Sequence, residues 1–129
     1  MHCGQTDLCS VKEVRYANMN PYRYIKYHVT WAEKITPLSV FSEKFGILFE
    51  MMTKGTKSSE VGLHFTDNSV LWLSASLLDS MSLDGFMDQV LRSMNDTKFI
   101  NGVVFDNMDD VEIFVNRLEQ KYIWKVLKE

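Results

Sequence analysis

Cysteine is scarce in this chain, with only Cys3 and Cys9 among 129 residues. So few exclude a disulfide-dense scaffold. The five residues between them match no common zinc-ligand spacing. The pair reads as free thiols in a reducing compartment. Long apolar runs are also lacking. No stretch approaches the roughly eighteen apolar residues that a membrane-spanning helix needs. The first residues carry no apolar run of a secretory signal. The location expected from these two absences is cytoplasmic. Recognition motifs are missing as well. There is no phosphate loop, no Lys/Arg-Gly-aromatic RNA signature and no calcium loop of alternating Asp/Asn followed by Gly and a distal Glu. No catalytic signature, internal repeat or low-complexity tract is present.

What is present describes a globular protein. Apolar residues make up 46% and charged residues 24%, which is the composition of a packed domain rather than of a disordered chain. A chain of this length can bury a real core without staples. The net charge of −3 is unevenly divided. Residues 1–57 hold eight Lys/Arg against five Asp/Glu, and residues 58–129 hold six against twelve. The acidic total argues against a nonspecific duplex-DNA binder, while the first half leaves room for a local basic strip.

Residues 1–20 show no clean period and read as an irregular N-terminal segment closed by Pro21. Residues 21–129 read as one α+β domain. The stretch 22–31 is rich in aromatic and β-branched residues and alternates in character, as a strand does. Ile25, Tyr27, Val29 and Trp31 form its core face, and Tyr22, Tyr24, Lys26, His28 and Thr30 the other. Thr36-Pro37 then opens a helix. Leu38, Phe41, Phe45, Leu48, Phe49 and Met52 recur on one helical face, and Gly55 ends it. Residues 60–75 predict a β-hairpin turning at Asp67-Asn68. Its second strand is apolar on both faces and is expected to be central. A helix follows over about 83–95, then a strand over 99–105. Asp106-Asn107 caps a third helix with Asp109, Asp110 and Glu112 in its first turn. The aromatic and β-branched content of 122–127 predicts a last strand.

The expected order is β-α-β-β-α-β-α-β, with four or five strands in a mixed or antiparallel sheet and two or three helices. Its first six elements match a ferredoxin-like core, extended by a C-terminal α-β unit. That topology hosts many unrelated roles, so function must come from sites.

Few sites suggest themselves. Tyr22, Tyr24, Lys26 and His28 would line an uncovered sheet face. Aromatics interleaved with cations are what a single-stranded nucleic-acid platform uses. His28 and His64 fall on one sheet face, but two histidines do not complete a zinc site, and no metal or cofactor is expected. The acidic group Asp106, Asp109, Asp110 and Glu112 is explained by helix capping. The leading expectation is a non-enzymatic protein-interaction module, a small regulator or inhibitor of the kind a phage or virus encodes. Its interface would use Tyr22, Tyr24 and Trp124 on strands at the sheet edges, with a protein partner or a second copy bound there. The alternative is a single-stranded nucleic-acid binder using Tyr22, Tyr24, Lys26 and His28. A third reading is an enzyme whose site is assembled from distant residues, marked by a histidine beside a carboxylate in a deep pocket.

Overall fold

The computed structural model describes residues 9–15, 25–40, 42–74, 83–94 and 97–128. Five strands and three α-helices follow in the order β1 (Ser10–Arg15), β2 (Ile25–Ile35), α1 (Glu43–Lys54), β3 (Glu60–Phe65), β4 (Val70–Ser74), α2 (Leu83–Ser93), β5 (Ile100–Phe105) and α3 (Met108–Lys128). The strands form one antiparallel sheet in the order β1-β2-β5-β3-β4. The α+β class is therefore as expected.

The ferredoxin-like arrangement is not confirmed by this strand order. β2 and β3 run parallel with antiparallel β5 between them, and β4 and β5 run parallel with β3 between them. Two split β-α-β units thus interlock, and the last strand lies at the centre. β1 corrects the irregular reading of residues 1–20. Its six residues pair with β2 from Ser10↔Thr30 to Arg15↔Ile25. Two of its flanks lie outside the described residues. Pairing also places β2 inside the sheet, so the edges are β1 and β4. β4 is therefore not the central strand expected from its two apolar faces.

The helix after β2 begins later than its apolar spacing predicts. Thr36 and Ser39 cap each other reciprocally, Thr36 N–H donating to Ser39 Oγ at 2.8 Å and Ser39 N–H to Thr36 Oγ1 at 3.2 Å. This closes a single 3-10 turn over Pro37–Ser39. A second cap, Ser42, accepts from Phe45 N–H and starts α1 at Glu43. Leu38 therefore falls outside the buried stripe and is 99% exposed. Phe41 lies outside the described residues. Phe45, Ile47, Leu48, Met51 and Met52 form the buried face, and Gly55 follows at φ 97°, which favours glycine.

The β3–β4 hairpin forms as the turn chemistry predicts, with a loop one residue longer. Asn68 N–H donates to Phe65 C=O at 3.0 Å and Phe65 N–H to Ser69 C=O at 2.9 Å. Asn68 takes the left-handed position at φ 69°, so the loop is 66–68, a type I turn with a bulge. The final segment is a correction. Residues 122–127 continue α3 to Lys128 rather than forming a strand. No Gly or Pro interrupts the chain after Asn107, and extending a formed helix costs far less than nucleating another element.

All three helices contribute to one apolar core. Phe45, Leu48, Met51 and Met52 of α1, Phe86, Met87 and Val90 of α2, and Val111, Phe114 and Leu118 of α3 join Val29, Trp31, Leu63, Val103 and Phe105 of the sheet. Phe86 lies 5.3 Å from Phe49, and Phe114 lies 5.9 Å from Trp31 and 6.0 Å from Phe105, ring centre to ring centre. The predicted core face of β2 is thus the observed one. Among the described residues, the helices occupy one side of the sheet and none lies on the other.

Candidate functional site

Strand alternation and register decide which residues share the helix-free face. One row across the sheet runs Lys12, His28, Val104, Gly62, Trp72. The next runs Ser10, Thr30, Gly102, His64, Val70. Two glycines in the middle let larger neighbours lean inward. A Cβ at Gly62 would stand 2.5 Å from Val70 Cγ1 and 3.0 Å from Trp72 Cζ3. A Cβ at Gly102 would stand 2.6 Å from the Val29 carbonyl oxygen, a backbone atom that cannot yield cheaply. The Trp72 indole therefore lies over Gly62, and Val104 is fully buried although it faces away from the helices.

The histidines meet across β5. The His28 and His64 ring centres are 5.8 Å apart, edge to face. β5 is bulged at Asn101, where Phe65 pairs with Ile100 but His64 with Gly102. The extra residue brings Asn101 Oδ1 to 2.6 Å from His64 Nδ1. His28 Nε2 is buried with no hydrogen-bond partner. Burial, then the nearby His64, then Lys12 hold the His28 imidazole below its ordinary pKa.

Lys26 crosses the same face. Its ammonium lies 5.0 Å from the Trp72 ring centre and 3.6 Å from Asp106 Oδ2. The cation is held between an indole and a carboxylate, with little of it exposed. Trp72 itself is 37% exposed. It sits at the middle of an edge strand with part of its ring facing outward.

The acidic group at the start of α3 forms a clasp. Asp110, buried, accepts from Ser58 N–H at 2.7 Å, Ser58 Oγ at 2.6 Å and Lys57 N–H at 3.1 Å. Asp106 accepts from Ser59 N–H at 3.1 Å and Ser59 Oγ at 2.5 Å. Asp109 pairs with Lys57 at 2.7 Å and raises that lysine's pKa. Asn107 Oδ1 accepts from Asp109 N–H at 2.9 Å. Helix capping accounts for part of this pattern. The larger part is long-range and ties the loop before β3 to the helix after β5.

Of the residues singled out from the sequence, Lys26 and His28 lie on the helix-free face. Tyr22 and Tyr24 lie outside the described residues. Trp124 falls in α3, not on a strand, and its side chain lies outside what is described. Sequence reasoning passed over Lys12, Val70, Trp72 and Asn101 as site residues. A signal for two of them existed. Val70 and Trp72 make the outer face of β4 apolar, which here marks an apolar edge rather than a central strand. Among the described residues no group of three or more His, Cys, Asp or Glu is placed to hold a metal ion. Cys9 is disulfide-bonded, which overturns its reading as a free thiol. Cysteine pairing depends on spatial approach, which spacing in the chain does not reveal. Cys3 lies outside the described residues. Among the described residues no helix is long and apolar enough to cross a membrane. No family model, curated protein or solved structure matches this chain.

Proposed function

We propose that the chain is a non-enzymatic protein-interaction module that binds through β4 and the adjoining helix-free face. The observation that carries this reading is Trp72. A large aromatic stands at the centre of an apolar edge strand with over a third of its surface exposed. Partly exposed aromatics on rigid strands are the usual energetic anchors of protein interfaces, and edge strands recruit partners through unpaired backbone groups. A regulator or inhibitor needs no more than such a surface. Cys9's disulfide removes the thiol argument for a reducing compartment and favours an oxidising one. The test is crosslinking capture from native extract with the wild-type chain and Trp72→Ala. Capture that the substitution abolishes supports the reading. Capture indifferent to Trp72 removes it.

A second reading draws on one arrangement. Lys26 stacks on Trp72, with Lys12 and His28 on the same face, as in a platform for single-stranded nucleic acid. Asp106 already compensates Lys26, so this reading ranks below the first. Fluorescence titration with oligonucleotides at two salt concentrations decides it. Salt-sensitive binding lost in Tyr24→Ala and Lys26→Ala promotes it, and no binding at low salt ends it. The enzyme reading finds no comparable support. His64 pairs with an amide, not with the carboxylate that reading needs.

A further inference from the structure

The two sheet edges differ in how they meet a second chain. β1 reads Ser-Val-Lys-Glu-Val-Arg and carries three charges in six residues. Charge on an edge strand is the common device against edge-to-edge pairing. β4 reads Val-Leu-Trp-Leu-Ser, with no charge and no proline. The hydrogen-bonding phase of β4 follows from its hairpin. Phe65 N–H donates to Ser69 C=O, and Leu63↔Leu71 and Val61↔Leu73 continue that register. Alternation along an antiparallel ladder then turns Leu71 and Leu73 toward β3. It leaves the N–H and C=O groups of Val70, Trp72 and Ser74 facing away from it, and no described residue pairs with them.

Resting on the interaction reading above, we propose that the partner at this edge is a second copy of the chain. The two β4 strands would pair antiparallel about a two-fold axis through Trp72 and make one continuous sheet. The register is self-complementary. Trp72 stands opposite Trp72, Leu71 opposite Leu73 and Val70 opposite Ser74. Each pair lies on one face, as an axis perpendicular to the sheet demands. The outward groups of Val70, Trp72 and Ser74 are the ones such a pairing joins. No like charges meet at the seam, since β4 carries none. A five-residue seam is small among stable interfaces, so the dimer forms by mass action and dissociates on dilution.

The experiment is sedimentation equilibrium of the full chain from micromolar to near-millimolar concentration, with amide hydrogen exchange at both ends of the range. The expected result is a mass rising toward twice the 15.0 kDa of one chain, with Val70 and Trp72 amides gaining protection as it rises and β1 amides unchanged. Trp72→Lys places like charges opposite each other and is expected to leave a monomer with unchanged circular dichroism. Trp72→Phe, which keeps an aromatic seam, restores association should the lysine variant fail to fold. A chain that stays monomeric throughout overturns the proposal, as does a dimer that leaves the Val70 and Trp72 amides unprotected. A monomer that still captures a different protein through Trp72 overturns the second copy alone. A monomer with no Trp72-dependent capture overturns the interaction reading as well.

Discussion

On the helix side, β5 presents Val103 and Phe105, both fully buried in the common core. On the other side the same strand presents Gly102 and Val104, with two histidines meeting across them. Both sides exclude water at the centre, by different means. The helix side fills its space with large branched and aromatic side chains from six or more elements. The other side uses one layer, in which the missing side chain at Gly62 lets the Trp72 indole lie over the strand, with Lys26 stacked on that indole and two imidazoles meeting nearby. Burial there is made in large part by polar-tipped groups. The difference separates what holds the fold from what the fold displays.

The largest effect that would break this comparison lies on the helix side. Phe114→Ala removes a fully buried ring that meets Trp31 and Phe105, and is expected to cost about 3–5 kcal/mol in urea unfolding. A cost near that of a surface change would mean the two faces do not divide the work as described. Next comes the clasp between them. Asp110→Ala leaves the buried amide and hydroxyl of Ser58, and the part-buried amide of Lys57, without their acceptor. The expected loss is about 2–3 kcal/mol, with exchange of the Lys57 and Ser58 amides accelerated. Unchanged exchange at those amides counts against the clasp.

On the helix-free face the effects are smaller and more diagnostic. Gly62→Ala forces a methyl group against Val70 and the Trp72 ring. Overpacking of this kind costs about 1–3 kcal/mol, and displacing the indole shifts its fluorescence to the red. Emission that does not move would show that Trp72 does not lie over Gly62. The smallest effect is electrostatic. The folded pKa of His28 is depressed, so its unfolded form binds protons first. Stability present above the ordinary histidine pKa is therefore lost as pH falls below it and through the folded value. A melting series across mildly acidic pH should show that decline, flatter in His28→Gln. Equal slopes would sink the assignment.

Much of the architecture could be read from local pattern. The buried stripe of α1, the two faces of β2 and the Asp67-Asn68 turn each follow from side-chain period or from turn chemistry within a few residues. The candidate site was half legible. Lys26 and His28 share a face because alternation along one strand demands it, and His64 joined them by the same argument. Trp72, Asn101 and Lys12 enter only through pairing between strands far apart in sequence. A bulge at Asn101 leaves no mark that composition can show. Leu38 was misplaced because an apolar residue at helical spacing does not reveal which of two nearby caps, Thr36 or Ser42, starts the helix.

By itself the sequence determined where most of the helices and strands are, β1 and the last turns of α3 excepted, and which way the apolar sides of α1 and β2 turn, since these depend on neighbours along the chain. Tertiary structure decided the rest. It chose the order β1-β2-β5-β3-β4 and so made β4 an edge. It closed Asp106 and Asp110 onto residues about fifty positions earlier. The physical reason is common to all of these. Each interaction is between groups distant along the chain, and its free energy depends on whether the compact state brings them together, which no local preference encodes.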